Sequence, residues 1–305
     1  MKILITGITG FIGKHVAKRA LEEGYKLCAI IRNPAARSEL EQMNVSWFMN
    51  HGSSADLFEY FKRERFDGVI HCASFFRTEH RLEDISDLIN SNIHLPTMLL
   101  ECSVKTGGKW FINTGTFWQH YENRDYSPVN LYAATKQALE SIAAYYFEIS
   151  DISFITLKLT DTYGPNDPRP KIFNLWKKIA GTGDTLEMSR GEQLIDMVHI
   201  GDVVDAYFRM VELLKNDSTR ALKGQSFAVS SGNPVKLREL ADIYAKVKRS
   251  RLNIEWGKRP YRKREVMAPW NRGQSIPGWY PKIPLEEGIA TLFNEEKIAQ
   301  EEAED

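Results

Sequence analysis

The first half of the chain alternates short apolar runs with longer amphipathic ones. The runs "KILITG" (2–7), "YKLCAII" (25–31), "DGVIHCAS" (67–74), "KWFINTG" (109–115) and "SFITLKL" (153–159) predict strands. Helices are expected from Phe11 to Glu23, with Gly24 as its stop, from about Asp84 to Thr106, and from Leu131 to Glu148. Near-continuous apolar strands spaced by helices imply a doubly wound α/β fold, a parallel sheet covered on both faces. The pattern changes at "YGPNDPRP" (163–170), where Gly, Pro, Asn and Asp crowd into a loop leaving the sheet. Beyond it, "DMVHIGDVVDAYFRMVELL" (196–214) reads as strand then helix and "QSFAVSS" (225–231) as a strand, both expected to return to the sheet. A helix near 236–247 and a Trp-, Arg- and Pro-rich stretch at 256–284 follow. A last helix starts at Leu285, and the acidic "EEKIAQEEAED" end is expected to be solvated. The organisation predicted is therefore a dinucleotide-binding domain over 1–165, rejoined by 196–231, with 166–195 and 232–305 forming a smaller C-terminal substrate-binding region.

Composition narrows the class. The 305 residues are 43% apolar, ample for a folded core. Lys plus Arg equals Asp plus Glu at 40 each, which provides no electrostatic case for nucleic acid or an anionic membrane. No apolar run approaches the ~20 residues of a membrane helix, and "MKILITG" passes directly into a strand without the pattern of a signal peptide. Three cysteines, Cys28, Cys72 and Cys102, lie in apolar runs without CxxC spacing. They are expected to be buried free thiols in a reducing cytoplasm. The seven histidines are scattered, His80 reads as part of a solvated face, and no metal site is expected.

Two local patterns carry chemistry. "TGITGFIG" (6–13) sits between the first strand and the first helix, with Gly7, Gly10 and Gly13 at GxxGxxG spacing. Glycine permits a sharp turn and close approach to a pyrophosphate, and the helix start offers free N–H groups and the positive end of its dipole. At the end of the second strand, where an acidic residue would bind the ribose 2′-hydroxyl of NAD, stands Arg32. A guanidinium there suits a 2′-phosphate, so NADP(H) is expected, with NAD(H) as the alternative. The second pattern is "YAATK": Tyr132 and Lys136 are four apart on a predicted helix and share a face. Such a pair is either an incidental surface pair or a device in which the ammonium lowers the phenol pKa for proton transfer.

Glycine loop and YxxxK together resemble the extended short-chain dehydrogenase/reductases, the NAD-dependent epimerase/dehydratase family with a Rossmann fold. Further segments join the resemblance: "VIHCAS", Asn92, "KLTDTYGP", "DMVHIGDVVDAY", "YRKREV" and "PGWYPKIPLEEGI". It implies Tyr132 as proton donor and Lys136 as the ligand of the nicotinamide ribose that lowers the Tyr pKa. A strand-end Thr would hydrogen-bond the substrate oxygen. Thr116 fits that spacing better than Thr114, whose hydroxyl is expected to be satisfied by backbone. Gly7, Gly10, Phe11, Ile12, Gly13, Arg32, Asp56, Ser74, Tyr132 and Lys136 are implied at the cofactor; Thr116, Asp161 and Arg262 at the substrate. There are departures: the family's Arg before "DFVHV" is Ile195, its Asn before "YGP" is Asp161, and its "GDLxD" is replaced by "NHGSSADL" (50–57), where Asp56 keeps part of the role.

The resemblance implies a nucleotide-sugar substrate. Phe117 and Trp118 follow Thr116 in place of the acidic pair of a 4,6-dehydratase, and no Cys lies near Thr116 as in GDP-fucose synthase. A 4-ketoreductase and a 4-epimerase remain. Arg32 favours the reductase, which draws a fresh hydride from NADPH each turnover. The pattern "FINTGTFW…YAATK…KLTDTYGP" resembles the CDP-abequose and CDP-paratose synthases. A non-catalytic NADP(H)-binding sensor or scaffold is the alternative of another class. A homodimer is also implied, paired through helices near 84–106 and 131–148 with Ile142, Tyr145 and Tyr146 as contacts.

Overall fold

The computed structural model describes residues 1–293, apart from the side chains of residues 36, 37 and 39; the acidic end lies outside the described residues. Seven strands form one parallel sheet in the order Ser226–Val229, Ser153–Leu159, Trp110–Thr116, Gly68–His71, Lys2–Thr6, Lys26–Ile31 and Ser46–Met49. Alternate residues of each strand enter different cores. Ile3, Ile5, Leu27, Ala29 and Ile31 face one, under the helices Phe11–Glu22 and Ile200–Asn216. Leu4, Cys28 and Ile30 face the other, under Ser54–Glu64, Leu95–Thr106 and Leu131–Ile149. Both faces are apolar, which is why these strands read as continuous hydrophobic runs rather than alternating ones.

Segment 196–231 returns to the sheet only in part. Ser226–Val229 pairs with Ser153–Leu159, and Ile200–Asn216 packs on Phe11–Glu22. Met197–His199 instead pairs with Asp161–Tyr163 outside the main sheet. Two more small sheets join Leu194–Ile195 to Val235–Lys236 and Leu186–Met188 to Ile254–Trp256. A third core beneath them collects Tyr163, Phe173, Trp176, Leu240, Tyr244 and Ile289. Elements without a sequence expectation are the edge strand Ser46–Met49 and the helices Ser54–Glu64 and Ile172–Thr182.

The helix expected from Asp84 to Thr106 is not uniform. It runs as Asp84–Ile89, a π-helical turn Asn90–His94, and Leu95–Thr106. The wider turn presents the buried Asn92 toward the sheet. Asn92 Oδ1 accepts from Ser74 Oγ (3.0 Å) and Phe75 N (2.9 Å). Its Nδ2 donates to Phe75 O and to Thr135 Oγ1, both at 3.0 Å. One amide thus joins the loop after the fourth strand in chain order to the Leu131–Ile149 helix. On that helix Tyr146 is buried and Ile142 packs against the second core, whereas Tyr145 is 61% exposed, so only Tyr145 of the three named apolar residues points outward.

Asn92→Ala should therefore strip partners from Ser74, Phe75 and Thr135 at once. At ~1–3 kcal/mol for each buried group left unsatisfied, partly relieved by water, the expected loss is about 2–4 kcal/mol. Thermal unfolding of the variant should fall by several degrees; an unchanged midpoint would show that the junction contributes nothing.

Candidate active site

All strands of a parallel sheet end on one edge, and here that edge opens into a cleft of about 600 Å³. Gly7, Gly10, Phe11, Ile12, Gly13, Ser74, Thr116, Tyr132, Lys136 and Asp161 line it together. The loop from Gly7 to Gly13 is packed so closely that side chains have no room. Gly7 has φ +71°, and a Cβ there would stand 2.5 Å from Ala73 N; a Cβ on Gly13 would stand 2.0 Å from Gly7 O. The helix Phe11–Glu22 begins at Gly10 without a side-chain cap, so its first N–H groups face the cleft edge uncapped by protein. Close backbone, free N–H groups and a helix dipole fit a pyrophosphate.

Tyr132 and Lys136 lie in the first turns of Leu131–Ile149. Asn130 caps this helix through Oδ1, which accepts from Ala133 N (3.0 Å), while its Nδ2 holds the Arg77 and Thr78 carbonyls. Lys136 is fully buried, and its Nζ has no hydrogen-bond partner among the described residues. A buried ammonium without an acceptor is costly, and a ribose diol of the cofactor fits the need. Burial brings Lys136 down to about 8, opposed by Cys72 and by Glu140 one turn along the helix.

Tyr132 departs from expectation. Its phenol is pushed up to about 12 by burial, partly offset by a hydrogen bond to Ser74 and by the charge of Arg169. Lys136 Nζ stands 5.9 Å from the ring centroid, and its charge is not what offsets the desolvation. The phenol is therefore held protonated at neutral pH rather than made acidic by its neighbour.

Thr116 ends its strand. Its Oγ1 accepts from Trp118 N (3.3 Å), leaving the hydroxyl hydrogen to donate into the cleft. Its own N–H donates to Gln119 Oε1 (3.0 Å). Gln119 is fully buried and donates to Glu140 Oε1 (2.7 Å) and Gln137 Oε1 (2.8 Å). Glu140 in turn pairs with the buried Lys158 (3.2 Å), whose Nζ lies 2.9 Å from His120 Nε2. Trp270 of the C-terminal segment stacks on His120 with centroids 4.0 Å apart. Thr114, by contrast, donates to His71 O (2.7 Å) and contacts Tyr207 OH (2.5 Å), so its hydroxyl is spent inside the fold.

Three expected residues stand apart from the cleft lining. Arg32 is exposed and donates to Ser91 Oγ (3.2 Å). Asp56 is exposed in the first turn of Ser54–Glu64, where it complements the helix dipole. Arg262 forms a two-point pair with Glu265 (2.9 and 2.8 Å), which raises its pKa, and its guanidinium lies 5.6 Å from the Trp118 ring. Conversely, the cleft gains Phe76, Arg77, Trp118, Arg169 and Lys171, to which no binding role was assigned from sequence. Arg169 stands 4.6 Å over the Phe11 ring and donates to Thr162 O and Asp167; Lys171 pairs with Asp161 at 3.3 Å. The one signal for these last two was the loop leaving the sheet at "YGPNDPRP" (163–170), which contains Arg169 and ends directly before Lys171.

A model of the NAD dependent epimerase/dehydratase family matches residues 3–222. The chain is 26% identical over 300 residues to the CDP-abequose synthase of Salmonella typhimurium, covering 95% of this chain and 97% of that one. It is 23% identical over 323 residues to the UDP-glucuronate 4-epimerase of Thermodesulfobacterium geofontis, covering 95% and 94%. Among solved structures, the UDP-glucose 4-epimerase of Thermotoga maritima with UDP-glucose superposes with a TM-score of 0.84 at 21% identity, over 98% of this chain and all of that one. That likeness establishes the fold.

Lys136 supplies a pH test. It is charged below about 8 and neutral above, so any contribution of its charge to cofactor binding is lost as pH rises through that value. The dissociation constant of NADPH, read by its fluorescence, should climb between pH 7 and pH 9.5 in the wild type. In Lys136→Met it should be weak and flat over the same range. A parallel climb in the variant would assign the titration to another group.

Proposed function

This chain belongs to the NAD dependent epimerase/dehydratase family, and from that premise we propose that it reduces the C4 ketone of a nucleotide-linked deoxy sugar with NADPH, a CDP-linked 4-keto-3,6-dideoxyhexose being the favoured substrate. The observation that carries the proposal is the convergence of Thr116, Tyr132 and Lys136 on one cleft with the glycine loop, beside Phe117 and Trp118. Phe and Trp have no acid or base to offer, so the cleft suits hydride chemistry rather than elimination of water. Similarity to CDP-abequose synthase over nearly the whole of both chains supports the sugar class.

When bound, the dihydronicotinamide supplies the hydride that C4 receives. Tyr132 gives its hydroxyl proton to the carbonyl oxygen, so the ketone gains one hydride and one proton and becomes an alcohol. Thr116 donates a hydrogen bond to the same oxygen as negative charge develops there, and both contacts strengthen in the transition state. Lys136 holds the ribose and places positive charge beneath the reacting centre.

Arg32 bears on the choice of NADPH. It follows the Lys26–Ile31 strand directly, with its guanidinium tethered to Ser91. One charge-assisted hydrogen bond is worth about 1.5–3 kcal/mol, roughly ten- to a hundred-fold in affinity. Arg32→Ala should weaken NADPH by that factor and leave NADH nearly unchanged. Equal affinities for both cofactors in the wild type would remove the basis for NADPH.

The reaction itself is tested by NADPH oxidation with CDP-4-keto-3,6-dideoxyglucose, then with dTDP- and GDP-linked 4-keto-6-deoxy sugars. Tyr132→Phe removes one oxygen and should bind NADPH normally while turning over about a hundred- to ten-thousand-fold more slowly. Near-wild-type turnover in this variant would refute the assignment. Inversion at C4 of a hydroxylated nucleotide sugar without net NADPH consumption would replace the reductase by a 4-epimerase.

A further inference from the structure

One wall of the cleft is aromatic and has no part in the chemistry above. Phe76 is 44% exposed, although it is large and apolar. Its ring meets that of Tyr132 edge-on, with centroids 4.9 Å apart at 84°, and lies 5.7 Å from that of Trp118. All three rings line the cleft. Neither Phe76 nor Trp118 belongs to any of the three core clusters; Trp118 instead has the Arg262 guanidinium 5.6 Å from its ring. Trp118 is held by its own backbone, whose N–H donates to Thr116 Oγ1. The wall is therefore tied in space to both groups that would hold the substrate oxygen: Tyr132 through Phe76, and Thr116 through Trp118. An isolated exposed apolar residue is common and means little, but the exposed Phe76 beside the half-buried Trp118 and a proton donor forms a surface for a ligand.

We propose that Phe76 and Trp118 select a 4-keto sugar that lacks hydroxyl groups at C3 and C6. The inference rests on the reduction proposed above. With the C4 oxygen between Tyr132 and Thr116, the proposal sets C3 and the C6 carbon carried by C5 against this wall. A CH₂ at C3 and a CH₃ at C6 present C–H surface to the aromatic faces, and burying it against them is favourable. A hydroxyl in either place would leave water for a surface of ring carbons and lose hydrogen bonds in doing so. Apolar pockets reject an added hydroxyl by up to about a hundred-fold, and that sets the scale expected here.

The decisive comparison uses two substrates with the same nucleotide, CDP-4-keto-3,6-dideoxyglucose and CDP-4-keto-6-deoxyglucose, which differ only in the C3 hydroxyl. The wild type should favour the 3-deoxy sugar by about ten- to a hundred-fold in kcat/KM. In Phe76→Ser and in Trp118→Thr, made separately so that one misfolded variant does not end the test, that ratio should fall toward one. NADPH affinity should stay as in the wild type. A purely structural role for the rings would slow both substrates together and preserve the ratio, and that result would overturn the proposal. So would equal kcat/KM values in the wild type. Calorimetric binding of the two sugars to the complex with NADP⁺ makes the same comparison without turnover. A protein that reduces neither sugar but binds the 3-deoxy one preferentially, and loses that preference in the variants, would overturn the reduction and retain the wall. Absence of binding by both sugars would overturn both.

Discussion

Burial of both faces of a parallel sheet is the constraint on which the rest of this structure depends. Side chains pointing up or down from the central strands enter apolar cores, so most polar chemistry has to sit where the strands stop. Because the seven strands run the same way, those stops share one edge. The glycine loop after Lys2–Thr6, Ser74 after Gly68–His71, Thr116 at the end of Trp110–Thr116 and Asp161 after Ser153–Leu159 are brought together by that geometry alone. Residues scattered over more than half the chain become one site without any local signal linking them.

The exceptions to apolar burial lie behind that edge. Lys158 points from the sheet into a cluster with Glu140, His120 and Gln119, all buried or nearly so. Burying an ion pair costs desolvation that only good geometry offsets, and its commonest return is a fixed arrangement rather than net stability. Here the arrangement ends on the N–H of Thr116, held by Gln119. It also reaches the C-terminal segment through the stack of Trp270 on His120. Arg264 adds a second tie between that segment and the loop before the Leu131–Ile149 helix, through Ser127 Oγ at 2.7 Å. The loop between Thr116 and Tyr132 is thus clamped from both sides of the cleft.

Desolvation also sets the charge state of the candidate catalytic pair. It raises the Tyr132 phenol to about 12 and lowers Lys136 to about 8, moving both toward their neutral forms. His71 beneath them is pushed well below the usual histidine range by burial and by Lys136, and so stays neutral. The phenol stays neutral and protonated, and the Lys136 ammonium shares the cleft lining with Arg77, Arg169 and Lys171.

Much of this was legible along the chain, for local physical reasons. Apolar runs marked five of the six main-sheet strands before residue 160 and the strand near 226, because continuous burial leaves a continuous hydrophobic record. Glycine spacing marked the tight loop, and the four-residue spacing of Tyr132 and Lys136 put them on one helix face. The edge strand Ser46–Met49 escaped because it is four residues long and only partly buried. The π-helical turn at Asn90–His94 escaped because its cause is a set of distant partners for Asn92. Tertiary structure alone decided which cations and rings face the cleft: Arg169, Lys171, Phe76 and Trp118 line it, while Asp56 stays on an exposed helix turn. It also decided the direction of the Tyr132 shift. Spacing shows that a cation is near, but desolvation depends on everything that surrounds the oxygen, and those neighbours come from parts of the chain that only folding brings together.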